Sequence, residues 1–189
     1  MGSEMFDLDH FLADCRNAVE TNGCHRAVHE IVARAVSNPG NVLAALGKPS
    51  RAGITPLYKS ESVTIFNVVW GPLMNVPPHD HKMWAVIGVY AGREDNIFWR
   101  RIDNENGETI EAAGAKSLSV RDAVPLGRDI IHSVLNPAER LTAAIHVYGG
   151  DFVGADRVEW DPETHEERKA KFETTSRYFE RSNRLLADE

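Results

Sequence analysis

At 189 residues, with 42% apolar and 26% charged side chains, the chain has the length and balance of one globular domain whose core needs no disulfides. Its formal charge of −7 disfavours a nucleic-acid partner, which would call for a basic patch. No apolar run approaches the roughly 20 residues that cross a bilayer. The first residues lack the basic and apolar regions of a secretory leader, so a cytoplasmic location is expected.

Residues 1–50 read as a helical segment. Phe6, Leu8, Phe11, Leu12, Cys15 and Val19 recur at helical spacing, with Asp7 or Asp9 as the N-cap and Asn22-Gly23 as the end. A second helix is predicted from about His25 to Val36, with Val28, Ile31, Val32 and Ala35 on one face. Asn38-Pro39-Gly40 breaks it before a short turn over 42–46. Cys15 and Cys24 lack a zinc-site spacing and are expected to be reduced thiols on helices. His25 and His29 stand at i, i+4, a spacing that can grip a metal. No third ligand lies near them in sequence, so they are read as surface or capping residues.

Residues 51–155 change to β character. Val63 to Trp70 is rich in β-branched and aromatic residues, and Lys82 to Tyr90 follows as an apolar strand. Gly92 to Asn96 reads as a turn before a strand from Ile97 to Ile102. Thr109–Ala112 and Lys116–Val120 read as short strands, and Ile130–Leu135 and Leu141–Tyr148 as apolar ones. Short strands separated by Gly, Asn and Asp turns predict an all-β sandwich or barrel. Residues 156–189 are expected to form a helical extension of the same domain. Its helix runs from about Glu163 to Ala187, with Phe172, Tyr178, Phe179, Leu185 and Leu186 as the apolar side.

The stretch around which the chain is organised is Pro77-Pro78-His79-Asp80-His81. A strand sends residues i and i+2 to the same face, so His79 and His81 are spaced to hold one metal ion, and the two prolines stiffen the approach. His132, inside the apolar run Ile130–Leu135, supplies the third ligand if the intervening chain folds back as paired strands.

These residues carry a resemblance. Trp70-Gly71-Pro72 leading to His79-Asp80-His81, then Gly127 to Asn136 around His132, then Ala144-Ile145-His146-Val147-Tyr148 resemble the cupin superfamily. Within it they are similar to the cysteine dioxygenase-like thiol dioxygenases, over residues 54–150. The resemblance implies a mainly β, cupin-type double-stranded β-helix (jelly-roll barrel) with N-terminal helices and a C-terminal helix. It implies His79, His81 and His132 as metal ligands, and Tyr148 as a hydrogen-bond donor near the metal, oriented by His146. The usual cupin glutamate falls on Ala85 or Val86 and is absent, while Glu94 is expected beyond the strand. Where the family has a serine before the histidine and tyrosine, this chain has Ala144, and no cysteine lies near His81 to crosslink to the tyrosine. The family's carboxylate-binding arginine has no clean counterpart. Lys59 is the nearest cation, and Trp84 and Met83 are candidate walls of the substrate site, as is Phe66.

The implied activity is iron(II)-dependent oxidation of a small thiol, of the cysteine or 3-mercaptopropionate type, by dioxygen to a sulfinic acid. Imidazole ligands alone do not choose iron over zinc or nickel, and manganese also stays open. Two other readings remain: an oxygen-independent isomerase or hydrolase using zinc or manganese, and a non-catalytic cupin that binds a small ligand. A homodimer is plausible for such a barrel.

Overall fold

The computed structural model describes residues 5–22, 25–105 and 107–187, and among them forms four helices and eleven strands. Helix α1 spans Leu8–Asn22, α2 His25–Val36, α3 Pro39–Leu46 and α4 Phe172–Ala187. The strands are β1 (Gly53–Lys59), β2 (Thr64–Trp70), β3 (Asn75–Asp80), β4 (Ala85–Ala91), β5 (Arg93–Asn104), β6 (Gly107–Ser119), β7 (Ala123–Leu126), β8 (Ile131–Leu135), β9 (Thr142–Tyr148), β10 (Val158–Trp160) and β11 (Glu167–Lys169). None of the helices is long and apolar enough to cross a membrane.

The strands form two sheets, ordered β1-β2-β9-β4-β7 and β11-β10-β3-β8-β5-β6, and the pairs within them are antiparallel. From β2 to β9 the chain changes sheet at every connection except the β5–β6 hairpin. That alternation makes the double-stranded β-helix, or jelly roll, expected from the sequence.

The central strands of the first sheet, β2, β9 and β4, are buried on both faces, which is why they read as nearly unbroken apolar runs. Along β2, Phe66, Val68 and Trp70 face the space between the sheets, while Ile65 and Val69 face the helices. Along β9, Ala144 and Tyr148 face inward and Ala143, Ile145 and Val147 outward. Against that outer face lie Phe11 and Cys15 of α1 and Val28, Val32 and Val36 of α2. The three valines are fully buried, each contributing roughly 1.5–3 kcal/mol by removal from water. Asp7 caps α1, its Oδ1 accepting from the His10 N–H at 2.8 Å. Cys15 is a free thiol whose pKa burial pushes up to about 12, so it packs as a small apolar group. Cys24 and Gly23 lie outside the described residues.

The C-terminal segment departs from expectation. Asp161 Oδ1 accepts from the N–H groups of Glu163 and Thr164, which folds residues 161–166 into a turn. Glu167–Lys169 then pairs with β10, so the helix begins at Phe172 instead of near Glu163. α4 crosses the barrel with Phe179 stacked on Trp70 at 5.3 Å. Asn183 exchanges two 2.8 Å hydrogen bonds with the backbone of Ala52, pinning α4 to the start of β1.

Candidate metal centre

β3 and β8 pair so that His79 stands opposite His132. Proline has no N–H to give a ladder, and the register slips between Val76 and His79, where Pro77 and Pro78 sit. His81 follows the end of β3, and Lys82 turns the chain with a positive φ of 58°. His81 thus reaches the site from the turn and not, as the i, i+2 spacing suggests, from the strand itself.

The three rings gather regardless. Centroid separations are 5.2 Å for His79–His81 and 4.7 Å for both His79–His132 and His81–His132. Their ligand nitrogens lie within 4.8 Å of one another. The Nε2 atoms of His81 and His132 are 3.0 Å apart, the spacing of two nitrogens bound to one ion at roughly 2.0–2.1 Å each.

The neighbours fix which nitrogens carry protons. His79 Nδ1 lies 2.9 Å from the Pro77 carbonyl oxygen, which can only accept, so Nδ1 holds the hydrogen and Nε2 keeps its lone pair. His132 Nδ1 lies 2.6 Å from Asn96 Oδ1, while the Asn96 amide nitrogen donates to Glu94 Oε1 at 3.1 Å. His132 therefore also turns a bare Nε2 toward the other rings. His81 Nδ1 is buried with no hydrogen-bond partner among the described residues. Burial lowers the pKa of all three, His79 to about 4, and the charge of neighbouring histidines pushes His81 and His132 further the same way. Three neutral imidazoles around one point, two with inward lone pairs, suit a divalent ion of the zinc, iron or nickel kind.

Glu94 and Asn96 carry much of this arrangement, and sequence reasoning placed both in a turn. β5 begins at Arg93, so Glu94 and Asn96 point inward, while Asp95 between them pairs with Arg93 at 2.7 Å. Glu94 is wholly buried. Its Oε2 accepts from Trp70 Nε1 at 2.7 Å and stands 3.3 Å from His146 Nε2, close but not aligned as a hydrogen bond. Burial resists its ionisation, but the electrostatic pull of His146 beside it and the hydrogen bonds from Asn96 and Trp70 outweigh it, leaving the carboxyl below its ordinary range. His146 Nδ1 lies 3.0 Å from the Tyr148 hydroxyl, and the Tyr148 ring meets His81 edge-on at 5.0 Å. Burial, then the charge of Glu94, holds the Tyr148 phenol well above its ordinary range.

A small cavity adjoins the histidines, sharing His79 with them and lined also by His146, Tyr148, Arg157 and Glu159, with Phe66 and Phe152 as apolar wall. Arg157 is nearly fully buried; its guanidinium lies 3.9 Å above the Phe152 ring and Nε donates to the Phe152 carbonyl at 3.1 Å. An arginine in a polar stretch gives no sequence signal of this position.

The remaining candidates lie elsewhere. Lys59, 48% exposed at the end of β1, stands 3.5 Å from Asp151 and does not line the cavity. Met83 is buried between the sheets. Trp84 lies on the helix side, its ring against Gly149 and 6.4 Å from that of His25. His29 contacts the Ala123 carbonyl at 3.2 Å, and His25 and His29 form no ligand group among the described residues.

No protein-family model matches the chain. Similar folds occur among solved structures at low identity. The DMSP lyase DddQ from Ruegeria pomeroyi DSS-3 aligns with a TM-score of 0.46 and 18% identity, over 60% of this chain and 53% of that one. An RmlC-like cupin with a double-stranded β-helix fold from Methanocaldococcus jannaschii aligns at 0.41 and 11%, over 56% and 86%. The cupin domain of Schizosaccharomyces pombe Cnp3 aligns at 0.43 and 12%, over 54% and 65%. The match thus spans about half the length of the lyase.

Proposed function

We propose that the chain is a metal-dependent enzyme of cupin architecture that oxidises a small thiol carboxylate to its sulfinic acid with dioxygen. The observation that carries this reading is a cluster of three histidines beside a cavity lined by one buried guanidinium. His79, His81 and His132 would hold a divalent ion with no carboxylate to offset its charge; iron(II) there would favour the thiolate form of a substrate and supply the redox chemistry with dioxygen.

The chain's own residues do the rest. His79 and His132 arrive with the correct nitrogen bare, so no tautomer has to change on binding. Arg157 takes the substrate carboxylate, its planar fork suited to two oxygens in a way that a lysine is not. Tyr148, tied to His146 and lining the same cavity, hydrogen-bonds the substrate. Phe66 and Phe152 exclude water from the reacting atoms.

The test is metal analysis of the purified protein, then oxygen uptake by iron-loaded protein with cysteine, 3-mercaptopropionate and cysteamine. Turnover is expected with at least one thiol carboxylate. The Arg157→Met variant should raise KM for carboxylate-bearing thiols and leave cysteamine, which has no carboxylate, unaffected. Absence of turnover on all three would sink the reading. Firmly bound zinc or manganese with oxygen-independent chemistry would point to an isomerase or hydrolase instead.

A further inference from the structure

Glu94 ends in a closed setting. Trp70 Nε1 donates to one oxygen at 2.7 Å and Asn96 Nδ2 to the other at 3.1 Å, so both oxygens act as acceptors, as in an ionised carboxylate. His146 Nε2 faces the same oxygen as Trp70, at 3.3 Å, and among the described residues is otherwise without a partner. On its other side His146 Nδ1 meets the Tyr148 hydroxyl at 3.0 Å. A neutral imidazole has one N–H. If it sat on Nδ1, the Nε2 lone pair would confront a buried anion; if it sits on Nε2, the proton faces that anion and Nδ1 is left to accept.

We propose that Glu94 is a positioning residue that fixes His146 with its hydrogen on Nε2, so that Tyr148 gives its only proton to His146 Nδ1 and turns lone pairs to the cavity. Tyr148 is then an acceptor toward whatever occupies the site, the opposite of the donor role that the family resemblance implies. The ligand group that settles against Tyr148 must carry a hydrogen, as an ammonium, hydroxyl, thiol or water does. A bare carboxylate oxygen is directed instead to Arg157, on the same cavity wall as Phe152. The consequence for substrate rests on the proposed use of the cavity; the tautomer does not.

The experiment is nitrogen-15 NMR of zinc-loaded protein with labelled histidine, the His146 signals being assigned by their loss in His146→Gln. The expected result is a protonated Nε2 and a bare Nδ1 in the wild type, and the same pattern in Tyr148→Phe, where Glu94 remains. In Glu94→Gln the Nδ1-protonated form should appear, and with iron kcat should fall roughly tenfold at unchanged metal content, while KM moves little. A proton on Nδ1 in the wild type, as the other tautomer or the imidazolium, would overturn the proposal. So would a change of tautomer in Tyr148→Phe, a variant that keeps the test alive if Glu94→Gln does not fold. A protein inactive on every thiol would still display these tautomers, so this inference and the proposed activity fail separately.

Discussion

The His132 ring is held from behind by Asn96, and Asn96 in turn by Glu94. Removing that support leaves the ring free to turn or to move its proton to the metal-facing nitrogen. The variant Asn96→Ala should therefore weaken metal binding roughly 10–100-fold, measured by competition against a chromophoric chelator, with the fold intact by circular dichroism. Unchanged affinity would mean that the His132 tautomer is set by something else. His81 makes a useful contrast, since its Nδ1 has no hydrogen-bond partner among the described residues and its ring packs against those of Tyr148, Phe152, His79 and His132. The histidine cluster was legible in the sequence because two of its members are close neighbours and the third sits in a strand-like run. Glu94 and Asn96 were not. Glu94-Asp95-Asn96 after a glycine has the composition of a turn, and only the pairing of β5 with β6 and β8 makes it a strand with alternate residues buried.

Strand β4 shows how an element serves two cores at once. Ala85, Ile87 and Val89 face the other sheet, while Val86 and Tyr90 face the helices. Gly88 shares the helix-facing side, and a Cβ there would stand 2.4 Å from Val32 Cγ1 and 2.9 Å from Val36 Cγ1 of α2. The glycine is what lets α2 lie so close to the sheet. Gly88→Ala should cost about 1–3 kcal/mol in urea unfolding, because two β-branched side chains or the whole helix must shift. Metal affinity should stay unchanged, since that face is opposite the histidines; a loss of metal would mean that α2 and the site are mechanically coupled. The same double burial explains which elements could be read in advance. The apolar runs of β2, β4 and β9 announced themselves, as did α1 and α2 through their periodicity. β10 and β11 did not, because three-residue strands carry no detectable period, and their charged residues resemble the face of a helix.

At the scale of the whole molecule, folding and the proposed metal binding meet in the same three imidazoles. An unfolded chain offers them ordinary histidine pKa values near 6.5, whereas the folded value of His79 is about 4 and those of His81 and His132 are also lowered. Between pH 6.5 and 4 the unfolded chain therefore binds protons that the folded chain refuses. The stability of the metal-free protein is full above pH 6.5 and falls as the pH drops, by up to about 1.4 kcal/mol per unit for each ring. Melting followed between pH 7.5 and 5, above the range in which ordinary carboxylates titrate, isolates this contribution from acid loss elsewhere. Chelated protein should melt lower at pH 5 than at pH 7.5, and His79→Gln should show a shallower decline. Metal-loaded protein should melt higher than chelated protein at pH 7.5, because an ion bound only by the folded state adds its binding free energy to stability. That advantage should shrink toward pH 5 as protons compete for the nitrogens. A chelated protein whose melting point does not move over this window would show that the rings titrate freely in water, and neither the buried cluster nor the metal reading built on it would stand.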